Sequence, residues 1–376
     1  MEHRTPRLSA GFSLVEVLVG LGIGLIAILM MFRIVAMWET HSRTTASGSD
    51  AQVAGTLALF NLEREIKQAG QGIGRADPPF MGCPVAATDV PAARPFAFSM
   101  FPVDIIPGAA GAPDQINVMY GNSSFYVEEQ VFRFSTATTK TTVRRGGFRP
   151  GDLAIVAGNE TAAPGSATCA LIQITAANNP DNVTLNHDAA NYTNFYTGNI
   201  IPARYNPAGG TGGIFGAGRL YNLGPAPQLG VWTVTARGDL SRSELFGGGL
   251  PQAVAERVVN LKAEFGIDTN ADRIPDVWTN APVAPVDWTT VLAVRAAVLV
   301  RSKQFERTTD PAFATPLGVT LVAPTWAGGA FVMTNVDGTA DGFGPTQDDP
   351  NNWRYYRYRV YERVIPLRNM LWGTAP

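Results

Sequence analysis

Histidine is scarce in this chain: three in 376 residues, His3, His41 and His187. Cysteine is scarcer still, with only Cys83 and Cys169. The sequence contains no Gly-x-Ser-x-Gly elbow, no His-Glu-x-x-His and no Cys-x-x-Cys. These absences remove the usual signatures of a serine hydrolase, a zinc peptidase and a thiol oxidoreductase. A Ser/His/Asp site built in three dimensions around His187 stays formally open, but nothing in the sequence nominates its partners. Charge is sparse as well, at 16% of residues, and nearly balanced: Lys+Arg 29 against Asp+Glu 31, net −2. That balance argues against a broad nucleic-acid-binding surface, so no nucleic acid is expected as a partner. Two cysteines allow one bridge, Cys83–Cys169, in an exported chain, although their spacing does not show that they approach each other. No fixed-period repeat is present.

Glycine and proline are plentiful, at 39 and 27. This composition fits a loop-rich β protein in an extracytoplasmic setting better than a helical cytosolic enzyme. The chain is long enough to bury a large core in one or two domains. Its first eleven residues are polar and basic through Arg4 and Arg7, whereas Val17–Phe32 holds no charge. No small-x-small cleavage site follows the apolar run, so an ordinary secretory signal is disfavoured. The plain reading is a single-pass anchor with the basic leader in the cytoplasm and the remainder outside. A crossing needs about 20 apolar residues, which Phe12–Met37 supplies. That span includes Glu16, a carboxylate whose burial in lipid is costly and which therefore points to a function. Arg33 lies near the far edge, where it can snorkel. Gly20-x-x-x-Gly24 suits close approach of membrane helices. It is not read as a nucleotide loop, because no strand precedes it.

Beyond the membrane, Ala51–Ala69 lacks proline and repeats its apolar residues at helical spacing. Val53, Leu57 and Phe60 form one stripe; Leu59, Leu62, Ile66 and Ala69 form another, on the nearly opposite face. A helix with two apolar faces needs two surfaces to cover it. Gly70, Gly72 and Gly74 are expected to end it. An unbroken helix from Phe12 would be roughly 90 Å long, with Ser42–Ser49 as the place where it bends or loosens. After Gly74 the period falls to two. Strands are expected over 114–120, 125–134, 152–157, 170–175 and 231–236, separated by Gly/Pro/Asn-rich turns. A short helix-like segment, 251–257, precedes a strand in which Val259, Leu261, Ala263, Phe265 and Ile267 alternate. Val294, Ala296, Val298 and Val300 alternate next. In a last run over 354–365, Tyr356, Tyr358, Val360 and Glu362 share one face, and Arg357 and Arg359 alternate with Tyr355 and Tyr361 on the other. The pattern predicts an antiparallel sheet.

The junction Gly11-Phe12-Ser13-Leu14-Val15-Glu16 resembles the class III leader junction of type IV pilins and type II secretion pseudopilins. Ser13 replaces the commoner threonine, and Ala10 replaces a frequent basic residue. The tail, at Val258–Asp268, Val294–Ser302 and Tyr358–Asn369, is similar to the PilW minor pilins, with the secretion minor pseudopilin J as the nearest rival. The resemblance implies an α+β fold: a long N-terminal helix, membrane-spanning then amphipathic, packed on an antiparallel β head with long loops. It divides the chain into a cleaved leader 1–11, a transmembrane assembly part 12–37, an amphipathic continuation 38–72 and a periplasmic head 73–376. It also implies cleavage after Gly11 by prepilin peptidase, N-methylation of Phe12, and Glu16 as the assembly glutamate. The implied protein is a non-enzymatic subunit that primes pilus assembly and supports motility and adhesion. Its implied partners are other minor pilins, the major pilin and the inner-membrane assembly platform. It would move from the inner membrane to the fibre. A reading of another class is a signal-anchored periplasmic enzyme or binding protein.

Elementary electrostatics agree with the leader assignment. Phe12 and Glu16 stand at i,i+4, on one helix face. Cleavage would create a charged amine at a helix start, where a carboxylate is favoured. A neighbouring subunit's amine can serve equally, which makes Glu16 a register for docking. One further segment has ligand spacing: Asp268, Asn270, Asp272 and Asp276 sit at positions one, three, five and nine of a calcium loop. Arg273 stands where that loop needs glycine and Thr279 where it needs a closing acid, so a hydrogen-bonded turn is favoured over calcium. No other cofactor is expected. Asp337, Asp341, Asp348 and Asp349 form a second acidic segment with less specific spacing, again read as a loop.

Overall fold

The computed structural model describes residues 13–124, 129–144, 147–158, 161–178, 183–211, 215–282, 286–303, 305–308, 317–336 and 352–373. The leader, Gly11, Phe12, the first part of the 125–134 run and the aspartates at 337, 341, 348 and 349 lie outside these residues. Helix α1 runs from Leu14 to Ile66, 53 residues. The chain divides inside it into two compact units, Met1–Asp50 and Ala51–Pro376.

In the first unit, Ser13 starts the helix. Its hydroxyl accepts the Val15 amide at 3.2 Å and its carbonyl accepts the Val17 amide at 3.2 Å, which satisfies donors that a helix start otherwise leaves open. Leu14–Glu39 is long and apolar enough to cross a membrane, and none of it is buried. The Ser42–Ser49 patch, expected to bend or loosen the helix, keeps a helical backbone throughout.

In the second unit, α1 ends four residues earlier than its glycines suggested. The amides of Gln68 and Ala69 bond to carbonyls three residues back, at 3.0 and 3.1 Å, tightening the last turn before the chain leaves it. Gly70 then takes φ +84 and donates its amide to Met119. The strands that follow form three main sheets. Nine strands pair in the order Arg94–Ser99, Pro84–Asp89, Thr168–Gln173, Leu153–Gly158, Gly218–Gly224, Gln130–Ser135, Thr139–Thr142, Thr184–Asn186, Ala176–Asn178. Five pair as Gln252–Glu256, Asp239–Glu244, Gln228–Val234, Gln115–Tyr120, Val103–Ile106. Four pair as Val277–Thr279, Val258–Ile267, Val291–Arg301, Tyr358–Pro366. Pairing within these sheets is antiparallel except between Pro84–Asp89 and Thr168–Gln173, where Val85 faces Cys169. A disulfide joins Cys83 to Cys169 beside that pair, with Cα atoms 6.1 Å apart. A short helix α2, Arg368–Gly373, follows the last strand. The architecture is thus α+β, an N-terminal helix and an antiparallel β head.

Three expectations change. Residues 252–256 are a strand, not a helical turn: they ladder onto Asp239–Glu244 at the edge of the five-stranded sheet. Arg257, at φ 60, ends them. The alternation predicted from Val259 is broken by a bulge between Val258 and Asn260. The bulge gives Val258 to the face of Leu261, Ala263 and Phe265 in the main core, while Val259 turns to a second cluster with Ala297, Leu299 and Phe331. An extra residue in a strand reverses the faces of everything before it. Finally, the Tyr–Arg run begins with a 3-10 turn, Trp353–Tyr355, which buries Tyr355 completely, and becomes a strand only at Tyr358.

The main core joins the inner face of α1 to the sheets, through residues such as Leu62, Ile66, Val118, Trp232, Phe265 and Val294. A separate core lies on the other side of the nine-stranded sheet, around Phe132, Val156, Ile172, Leu185 and Leu220. Leu153–Gly158 serves both and is buried at every position. That explains its unbroken apolar sequence.

Candidate assembly helix and its buried charges

Glu16 lies in the first turn of α1, exposed, three residues after the capping Ser13. Ser13-x-x-Glu16 has the spacing of a capping box, a signal available in the sequence but not read there. The glutamate therefore has a local helix-start role open to it besides the intersubunit one.

Within the head unit the two stripes of α1 have opposite fates. Ala58, Leu59, Leu62 and Ile66 are buried against the sheets. Val53, Leu57 and Phe60 remain 64%, 45% and 58% exposed, an uncovered apolar row on one helix face.

The buried side is held by two carboxylates that periodicity did not reveal. Glu65 is 6% exposed. It accepts the Trp232 indole N–H at 2.7 Å and the Arg242 guanidinium through Nε at 3.0–3.1 Å and through a terminal nitrogen at 2.7 Å. That fork geometry is the strong form of a carboxylate pair, and it raises the Arg242 pKa further. Glu244 meets the same guanidinium at 3.2 Å. Gly230 leaves room for the clamp: a β carbon there would stand 2.2 Å from the Glu65 carboxylate. Glu63 pairs with Lys67 and with Arg363 of the last strand, and these partners hold its carboxyl below the usual range against the opposing effect of burial. Gly55 works in the same way as Gly230. A β carbon on it would lie 2.2 Å from the Tyr361 ring, so the aromatic strand residue packs directly on the helix backbone.

The second core also buries charge, but without an acid. Lys140 and His187 are both wholly buried. The Lys140 ammonium reaches the Thr136 carbonyl at 2.9 Å, His187 Nε2 at 3.0 Å and the Thr139 carbonyl at 3.4 Å. Burial pushes the lysine down to about 8; burial and the neighbouring ammonium push the histidine down to about 4. The imidazole is therefore neutral at pH 7 and acts as an acceptor. Among the described residues no Ser and Asp form a triad with His187, whose Nδ1 has no hydrogen-bond partner there.

In the loop of Asp268, Asn270, Asp272 and Asp276 the oxygens are turned on the loop's own donors. Asp268 accepts the amides of Asn270, Ala271 and Arg273 at 3.2, 2.8 and 2.8 Å. Asp276 accepts the amide and hydroxyl of Thr269 at 2.9 and 3.0 Å. Among the described residues no group of three or more His, Cys, Asp or Glu side chains is arranged to hold a metal ion.

Residues 6–32 match the family model of the prokaryotic N-terminal methylation motif, and residues 234–369 match that of the type IV pilus-assembly protein W. Together they support a PilW-type minor pilin. The PilW match contains Arg242, the whole four-stranded sheet and the start of α2; the methylation motif contains the leader junction and much of the apolar helix. The nine-stranded sheet lies outside both. No curated protein and no solved structure matches the chain.

Proposed function

We propose that the chain is a minor type IV pilin cut by prepilin peptidase between Gly11 and Phe12, methylated at Phe12, and incorporated with other pilins to prime pilus assembly. The observation that carries this reading is the pairing of a methylation-motif match with an α1 whose Leu14–Glu39 segment is wholly unburied. The uncovered Val53, Leu57 and Phe60 row supports it, because an exposed apolar row on a head that already has its core is suited to a neighbouring subunit. Glu16 sets the register by pairing with the α-amine of an adjacent Phe12. The protein waits in the inner membrane with its head in the periplasm, docks on the assembly platform, and then joins the major pilin in a fibre used for twitching and adhesion. Its role is structural rather than enzymatic.

Three measurements test this. Mass spectrometry of the membrane-extracted protein is expected to find an N-methylated Phe12 as the first residue; an intact Met1 overturns the proposal. Glu16→Ala is expected to keep leader removal and lose incorporation, and normal piliation of that mutant overturns the register role. Deletion of the gene is expected to abolish surface pili and twitching. Loss of exoprotein release with pili intact assigns the chain to type II secretion instead.

A further inference from the structure

A cleft of about 420 Å³ opens on the side of the four-stranded sheet away from the main core. Its walls combine the apolar Val259, Leu299 and Met333 with polar side chains, Thr235, Thr334 and Asn335 among them. Asn260, 4% exposed, lines it beside the bulge. Its amide nitrogen donates to the Gly111 carbonyl at 3.2 Å, whereas Oδ1 is buried with no partner. Buried polar atoms are almost always paired, so an orphan acceptor on a residue that lines a cleft calls for a ligand donor.

The second independent feature is Arg301, which also lines the cleft. Its guanidinium lies 4.5 Å from the Tyr356 ring centroid, and its Nε is buried without a hydrogen-bond partner. Arg242 and Arg295 each close on a glutamate. Arg301 has no carboxylate partner among the described residues. Arg237, exposed on the adjoining turn, adds a second positive charge at the rim. Tyr358 contributes a phenol that burial keeps protonated.

A complementary ligand carries a carboxylate for Arg301, an adjacent N–H for Asn260 Oδ1 and an apolar group for the walls. A peptide's last residue presents those three together. A sugar acid supplies the carboxylate but no apolar side chain to cover Val259, Leu299 and Met333, so it matches less well. We propose that this cleft binds the C-terminal residue of an extended peptide, with the carboxylate on Arg301 and the terminal amide N–H on Asn260. The inference concerns the head alone and does not depend on the pilin reading.

Full-length protein in detergent is titrated with N-acetyl-Val-Leu bearing a free carboxylate, with the same peptide as its C-terminal amide, and with trigalacturonate. The free acid is expected to bind, and the amide to bind about tenfold more weakly or not at all. Arg301→Gln is expected to weaken the free acid about tenfold, and Arg237→Ala, on the surface and safe for folding, about threefold. Asn260→Leu distinguishes a ligand acceptor from a structural residue: it is expected to weaken the free acid about tenfold while holding or raising Tm, since it also removes the orphan oxygen. Equal affinity for acid and amide, failure of the free acid to bind wild type, unchanged binding in Arg301→Gln, or tighter binding of trigalacturonate would each overturn the assignment.

Discussion

The two cores of the head bury charge in opposite ways. In the main core Arg242 meets Glu65 in a fork and Glu244 beside it, so the pair is compensated and both partners are hydrogen-bonded. In the second core Lys140 has two carbonyls, a neutral imidazole and the face of Phe215 around it. Asp188 is the acid that acts on His187 electrostatically, and Lys140 is the cation that opposes it. The first arrangement locks a helix to a sheet across the neutral range. The second holds only while His187 stays uncharged, because a protonated ring cannot accept from an ammonium. Compensation by an acid, rather than burial itself, separates a clamp from a pH-sensitive latch.

The contrast breaks first at Glu65. Glu65→Ala leaves the Trp232 N–H without its acceptor and Arg242 with only Glu244 and Gln228; it is expected to cost about 2–3 kcal/mol, measured by denaturant unfolding of the full chain in detergent. Acid attacks the other core. The folded pKa of His187 lies below its unfolded value, so its contribution is present above about 6.5 and is lost as the pH falls through about 4. The loss is on the order of 2–3 kcal/mol. Hydrogen exchange is expected to rise over Thr139–Thr142 and Thr184–Asn186 in that window while α1 stays protected. His187→Leu should flatten this dependence; an unchanged profile would place the acid-sensitive group elsewhere. Gly55→Ala forces the Tyr361 ring off the helix and is expected to cost about 1–3 kcal/mol, despite alanine's better helix propensity. The mildest change is Phe60→Ala, within about 0.5 kcal/mol in unfolding. Under the proposed function it nevertheless lowers incorporation, which separates stability from assembly on one helix.

What could be read in the sequence followed range. The two stripes of α1 were legible because helical periodicity is local, and the late strands because Leu261, Ala263 and Phe265 alternate. Residues 251–257 misled because an edge strand is fixed by its partner, here Asp239–Glu244, which local pattern does not show. The Val258–Asn260 bulge was invisible for a similar reason: it exists only against Val291–Arg301. Glu65 carries no local signal, because its partners Trp232 and Arg242 come from more than 160 residues away. The order of the nine-stranded sheet, which brings Cys83 beside Cys169, had no local signal at all.

The contact between Gly55 and Tyr361 has a mechanical consequence. A one-turn slip of the helix, about 5.4 Å, would put Ala51 or Leu59 beneath the ring in place of glycine. Both are already buried and both carry the β carbon that this packing excludes. The ring is thus a detent that stops travel in either direction. A pull along α1 within the head is carried as shear into the last strand, with Glu63 and Arg363 fastened two residues beyond the ring on that strand.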